Sequence, residues 1–236
     1  MSTQTEHAGQ DTGLEPRSAP AAAGILLVSW AVILGVVVGF GWLITHSFQS
    51  AVDPWDNDVS RWFADQRTGS LDPLGDGGTL LGETVVGVGV AVLAAIAFSL
   101  WQRSWRPALF YALAEAGIGG FYFVATHVDT RQRPPVKILD PGLVPDHSFP
   151  SGHVATAVVA YGGIFVLTWV YARAARKVAG LVLMLPALVL LARLYQGAHH
   201  LTDVLTSVVY ASVWLLVVAR LVLLPGRDRE GSSAGS

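Results

Sequence analysis

His199 and Asp203 stand four residues apart in the stretch ARLYQGAHHLTD, residues 192–203. On a helix that spacing puts both on one face. A carboxylate so placed would hold the imidazole in one tautomer and leave its other nitrogen free as a nucleophile. Arg193 lies six residues upstream, at the end of an apolar run, where an ionisable group points to a functional site. A polar turn at a membrane interface would have the same composition. A metal site built from His199, His200 and Asp203 is also conceivable, but no further ligands stand at a recognisable spacing.

Two other stretches carry matching chemistry. In FPSGHVAT (149–156), Pro150 stops any helix before it, Ser151 can cap the next one, and Gly152 lets a ligand approach the backbone. The apolar run that follows would then present free N–H groups and a positive dipole end, which together favour an anion. His153 sits at that helix start and could donate or accept a proton. In TRQRPP (130–135), Arg131 and Arg133 supply guanidinium groups that match phosphate oxygens in a bidentate way. Each stretch alone could be ordinary: a solvated charge pair, a capped helix with an incidental histidine. Together they supply what an in-line displacement at phosphorus needs: cations for the equatorial oxygens, a nucleophile, and an acid for the leaving oxygen.

The elements that must position these residues are apolar. The chain has 236 residues, of which 52% are hydrophobic and 14% charged, and its mean hydropathy is +0.49. Soluble domains carry roughly 25% charged residues, so the composition is that of a membrane protein. Six apolar segments approach the ~20 residues that span a bilayer: about 23–45, 80–101, 107–127, 153–171, 178–196 and 201–223. The expected fold is therefore all-α, a bundle of six transmembrane helices over residues 23–225. Residues 1–22 and 226–236, rich in small and polar types, are expected to be disordered cytoplasmic tails. The first segment is too long for a signal-peptide core, and its upstream flank lacks a basic region, so it is expected to be retained. The absence of cysteine excludes disulfides and thiolate metal sites. A net charge of −2 gives no nucleic-acid signature.

Basic residues set the orientation. With six spans, one side holds Arg17, Arg103, Arg106, Arg173, Arg176, Lys177, Arg220, Arg227 and Arg229, nine in all, and the other holds Arg61, Arg67, Arg131, Arg133, Lys137 and Arg193, six in all. The bias puts both termini in the cytoplasm and all three polar motifs outside. Trp42, Trp101, Trp105 and Trp169 fall near segment ends, as interfacial anchors would. In the loop 46–79, the apolar spacing of Val59, Trp62 and Phe63 fits either a short surface helix over 59–66 or a solvated loop.

The order RQRPP, PSGH, ARLYQGAHHLTD resembles the signature of the type 2 phosphatidic acid phosphatase family. That family carries a Lys followed seven residues on by Arg-Pro, then Pro-Ser-Gly-His, then Ser-Arg followed by His and Asp at fixed spacing. Two positions depart from it: Thr126 stands where the Lys would fall, beside His127, and Ala192 stands where the Ser would fall. The resemblance implies that His199, six after Arg193 and four before Asp203, is the nucleophile and forms a phosphohistidine, and that His200 is not. It implies that Asp203 orients His199 and that His153 is the acid and then the base. Arg133, Arg193, Ser151 and Gly152 would hold the phosphate, with Arg131 and His127 as secondary candidates. It also implies an enzyme of the cell (inner) membrane that needs no metal or other cofactor and acts on a lipid phosphate at the outer interface. Phosphatidic acid, phosphatidylglycerol phosphate, diacylglycerol pyrophosphate and polyprenyl (pyro)phosphates all fit. Rival readings are a non-catalytic lipid-phosphate-binding or transporting protein, a soluble vanadium haloperoxidase relative, which six spans disfavour, and a protease built on Ser151, which accounts for fewer of the motif residues.

Overall fold

The computed structural model describes residues 18–224. The expected tails lie outside the described residues except at 18–22, where the first helix has already begun: α1 spans Ala19–Trp42. Pro20 sits in its first turn, where a missing N–H costs nothing. A π-helical turn, Leu43–Ser47, prolongs it. There follow α2 (Gln49–Asp65), α3 (Asp72–Gly82), α4 (Thr84–Gln102), α5 (Arg106–Val128), α6 (Gly152–Tyr171), the short α7 (Arg176–Ala179), α8 (Met184–Tyr195) and α9 (Leu201–Val222). Two 3₁₀ turns flank α7, so the fifth apolar stretch is a composite helix over Arg173–Tyr195. Among the described residues, six helices are long and apolar enough to cross a membrane. Among the described residues there is no β-strand, only one isolated bridge between Arg131 and His147.

The 46–79 segment differs from expectation. It is neither a loop nor an eight-residue helix. It holds two helices, α2 and α3. Asp53, Pro54, Asp56, Asn57 and Asp58 read as loop in sequence, and α3 has four glycines in eleven residues, a poor helix by propensity. Tertiary contacts override both signals. Asp56 is fully buried against Arg131 and Thr202, and Gly75, Gly78 and Gly82 lie against Tyr195, Ala192 and Val189 of α8. On the other side of α2, Phe48, Trp55 and Trp62 recur every seven residues and are all exposed, the pattern of a helix lying along a membrane interface. Trp42, Trp101, Trp105 and Trp169 are likewise exposed at helix ends.

The bundle is built around α6. Of its most apolar stretch 67% is buried, against 6% for α1, and α6 packs against α3, α4, α5, α8 and α9. Small residues make this possible, because apolar surface alone drives little association between helices in lipid and close van der Waals packing must do it. Ala155, Ala157, Ala160, Gly162 and Gly163 of α6 are buried. A second seam is aromatic: Phe121 of α5 lies 5.1 Å from Trp30 of α1, 5.4 Å from Tyr210 and 5.7 Å from Trp214 of α9, measured between ring centroids.

Gly87 of α4 faces Thr156 of α6 so closely that an added Cβ would overlap the Thr156 methyl, whereas two residues on, at Gly89, nothing lies within 4 Å. Gly87→Ala should therefore lower the unfolding temperature in detergent, since overpacking costs about 1–3 kcal/mol. Gly89→Ala should match or exceed the parent, gaining up to about 1 kcal/mol of helix propensity. Equal melting temperatures for the two variants would show that the α4–α6 contact is not tight.

Candidate active site

The three motifs converge on the ends of four helices. The long α5–α6 connection brings Arg131, Arg133, Asp140 and Ser148. The first turn of α6 brings Gly152 and His153. Arg193 closes α8, and the turn 196–200 leads through His199 and His200 into α9. Gly197 sits in that turn with φ of +69°, a conformation that suits glycine. The start of α6 is tied to α9: the Ser151 N–H donates to Ser207 Oγ at 2.8 Å, and Ser207 Oγ donates to the Asp203 carbonyl at 2.9 Å.

A cavity of about 260 Å³ is lined by Arg133, Gly152, His153 and His199, together with Glu115 and Tyr122 of α5. His199 Nδ1 lies 2.6 Å from the carbonyl oxygen of Ser148. A carbonyl only accepts, so Nδ1 carries the hydrogen and Nε2 keeps its lone pair. Burial pushes the pKa of His199 well below that of an ordinary histidine, and the charges of Arg193 and Arg133 add to this against the opposing pull of Asp203. Both effects favour a neutral ring with Nε2 unprotonated.

The expected direct contact between His199 and Asp203 is not made. His199 precedes α9, which begins at Leu201, so the two do not share a helical face. Asp203 Oδ2 is 3.9 Å from His199 Nδ1, too long for a hydrogen bond. Asp203 instead accepts from Ser148 Oγ at 2.6 Å, from the His200 N–H at 2.8 Å and from Arg131 Nη1 at 2.6 Å. Asp203 fixes Ser148, and the Ser148 carbonyl fixes His199.

Arg133 is clamped by three carbonyls: Nε donates to Val144 at 2.9 Å, Nη1 to Ala198 at 2.5 Å and Nη2 to His147 at 3.1 Å. Each Nη retains a second hydrogen. Burial and the nearby Arg193 both lower its pKa, a sign of concentrated positive charge. Arg193 is fully buried. Its Nη1 donates to Asp140 at 2.8 Å, Gln196 at 3.0 Å and Thr79 at 3.3 Å, while Nε and Nη2 are buried with no partner. Ser151 Oγ is also buried and unpartnered. It makes no capping bond, contrary to its expected role at the helix start. Gly152 packs against the Tyr122 ring, 3.1 Å from where a Cβ would stand.

Other expected residues lie elsewhere. Arg131 does not line the cavity. Its guanidinium is enclosed by Asp203, Asp56 at 2.9 Å, Asp53 at 3.3 Å and the Thr202 hydroxyl. His127 is exposed at the end of α5, with its ring on the Phe123 carbonyl. Thr126 is buried and donates to the Tyr122 carbonyl, so no cation stands at that position. His200 caps α9 and pairs Nε2 with Asn57 Oδ1 at 3.1 Å. Among the described residues no three His, Cys, Asp or Glu side chains are grouped as a metal site would need. Sequence reasoning missed Glu83, whose Oε1 is 3.3 Å from His153 Nε2, as well as Asp140, Ser148 and Asp56. Each belongs to no motif. Only Glu83, a lone carboxylate just before an apolar run, left a visible signal.

The model of the PAP2 superfamily matches residues 107–226. The chain belongs to the PAP2 superfamily. All three motifs fall within the match, while α1–α4, with Asp56 and Glu83, precede it. The fold is similar to that of a crystal structure of a transmembrane PAP2-type phosphatidylglycerolphosphate phosphatase from Bacillus subtilis, with a TM-score of 0.66 and 21% identity over 88% of this chain and 98% of that one. No curated protein matches the chain by sequence. The expected all-α membrane fold and the family resemblance are thus both borne out.

Two outcomes follow from the geometry. Arg131→Met would leave Asp203 and Asp56 buried and unpaired, which should cost about 3–5 kcal/mol of stability. Arg61→Met, which removes an exposed pair with Asp58, should cost at most about 1 kcal/mol; thermal unfolding in detergent distinguishes them. The ¹⁵N-labelled His199 ring should titrate below pH 6.5, so its neutral form is present above that depressed pKa and lost only as pH falls through it. In Arg133→Gln one of the cations responsible is gone, and the NMR titration midpoint should move up.

Proposed function

We propose that this PAP2 protein is a membrane phosphatase that removes the terminal phosphate of a lipid phosphomonoester or pyrophosphate through a phosphohistidine on His199. The observation that supports this best is the set of buried, unpartnered donors, Arg193 Nε, Arg193 Nη2 and Ser151 Oγ, beside a cavity that His199 and His153 share. A buried donor without a partner costs about 1–3 kcal/mol, and more if charged. A phosphate dianion would satisfy these donors, Arg133 and the free N–H groups of the α6 N-terminus together.

In the first step His199 Nε2 attacks phosphorus and the bond to the leaving oxygen breaks. His153 gives that oxygen a proton. In the second, His153 takes a proton from water, whose oxygen attacks the phosphohistidine, and phosphate leaves with His199 restored as neutral imidazole. Glu83, beside His153 Nε2, is suited to orient that ring. Asp203 acts one residue removed, through Ser148. The cations and helix dipole are in place before charge develops, so they cost no reorganisation. The proposed placing is in the cell membrane with both termini cytoplasmic and the site at the outer interface, on the strength of the basic-residue bias. The absent cation at Thr126 favours, as a second reading, a protein that binds lipid phosphates without hydrolysing them.

Phosphate release by the purified protein from phosphatidic acid, phosphatidylglycerol phosphate and polyprenyl phosphates in detergent tests the reading. His199→Ala should lose several powers of ten in turnover, as removal of one member of a catalytic unit does, and His200→Ala little. An activated aryl phosphate, whose leaving group needs no proton, should partly rescue His153→Ala but not His199→Ala. Equal losses in the two neighbouring histidine variants would sink the assignment of the nucleophile, and binding without phosphate release from any substrate would favour the second reading.

A further inference from the structure

Glu115 is the only Asp, Glu, Lys or Arg among residues 107–126 of α5. It lies within the apolar span, where an ionisable group is expensive and calls for a function. Its Oε1 is buried without a hydrogen-bond partner, and the phosphoryl-transfer steps above do not use it.

Its position is informative. Glu115, Ile118, Gly119 and Tyr122 fall at i, i+3, i+4 and i+7, one face of α5, and all four line the cavity that holds His153 and His199. Tyr122, against Gly152, marks the phosphate end. Seven residues of helix place Glu115 about 10 Å further along α5, away from Arg133 and into the span. Thr84 and Val88 of α4 form the facing wall. Between α4 and α5 the slot is open: Val88 is 37% exposed, and nothing lies within 4 Å of a Cβ added at Gly119. A lipid phosphate seated at His199 would run its first bonds past this slot, over Glu115.

What the lipid carries there decides the fit. The ester groups of a glycerolipid lie a few bonds below its phosphate. A polyprenyl chain offers only hydrocarbon at that depth. A carboxyl group accepts from a hydroxyl when ionised and can also donate to an ester carbonyl when neutral. Against hydrocarbon it would stay buried and unpaired, at about 1–3 kcal/mol. Sites built to hydrogen-bond a substrate group reject analogues that lack it.

We propose that Glu115 forms a hydrogen-bonding subsite for the ester-bearing glycerol backbone of the substrate, which makes a glycerophospholipid phosphate, rather than a polyprenyl phosphate, the substrate class. This rests on the phosphatase reading above. The test is kcat/KM for phosphate release from dioleoyl phosphatidic acid and from a polyprenyl phosphate, each in mixed micelles with the full-length protein. The parent should prefer phosphatidic acid at least about tenfold. Glu115→Leu should lower that ratio about tenfold, mainly through KM for phosphatidic acid, and Glu115→Gln, which still hydrogen-bonds, should keep most of it. A parent that prefers the polyprenyl phosphate overturns the subsite whether or not the leucine variant folds. So does a folded Glu115→Leu with the parental ratio. Phosphate release from neither lipid overturns the phosphatase reading and the subsite with it, an outcome distinct from hydrolysis with the wrong preference.

Discussion

Burying one guanidinium among three carboxylates organises the polar end of this bundle. Arg131 is 5% exposed, Asp203 and Asp56 not at all. Burial works against the charge on Arg131, but Asp203 and Asp56 outweigh it and raise its pKa. The cluster pins three separate parts of the chain: α2 through Asp56 and Asp53, the α5–α6 connection through Arg131, and the start of α9 through Asp203. From Asp203 the hydrogen bonds continue to Ser148 and on to the His199 ring. A buried ion pair is weak evidence for net stability, because desolvation offsets the attraction. Its use here is geometric: the hydrogen bonds of Arg131, Asp203 and Ser148 tie down the turn that carries His199.

The cavity beside it has the opposite character. Arg133 is held by backbone carbonyls alone, which orient it without neutralising it. Arg193 is half satisfied, by Asp140, Gln196 and Thr79, and half not. The first turn of α6 adds its dipole. Positive charge is thereby gathered beside His199, where Arg193 and Arg133 add to burial, the larger effect, in lowering its pKa.

The sequence by itself determined the membrane class, six spans, and the assembly of Arg133, Gly152, His153 and His199 around one cavity. These rest on signals that are local or spaced at fixed intervals: apolar runs of bilayer length, and motif residues whose chemistry survives any detail of packing. The family resemblance was legible for the same reason. The tertiary structure alone decided that α2 and α3 are helices, because buried contacts of Asp56 and of the α3 glycines override propensities that argue for loop. It alone decided that Arg131 is a structural clamp, since a guanidinium's role depends on which carboxylates face it, here residues 70 or more positions away. The same holds for Glu83 beside His153, for the Glu115 slot, and for the route by which Asp203 reaches His199. The four-residue spacing promised a shared helical face, but α9 begins two residues after His199, and that one boundary turned a direct contact into one relayed through Ser148. Spacing fixes a contact only where the backbone geometry is already known, and at a helix end it is set by what packs there.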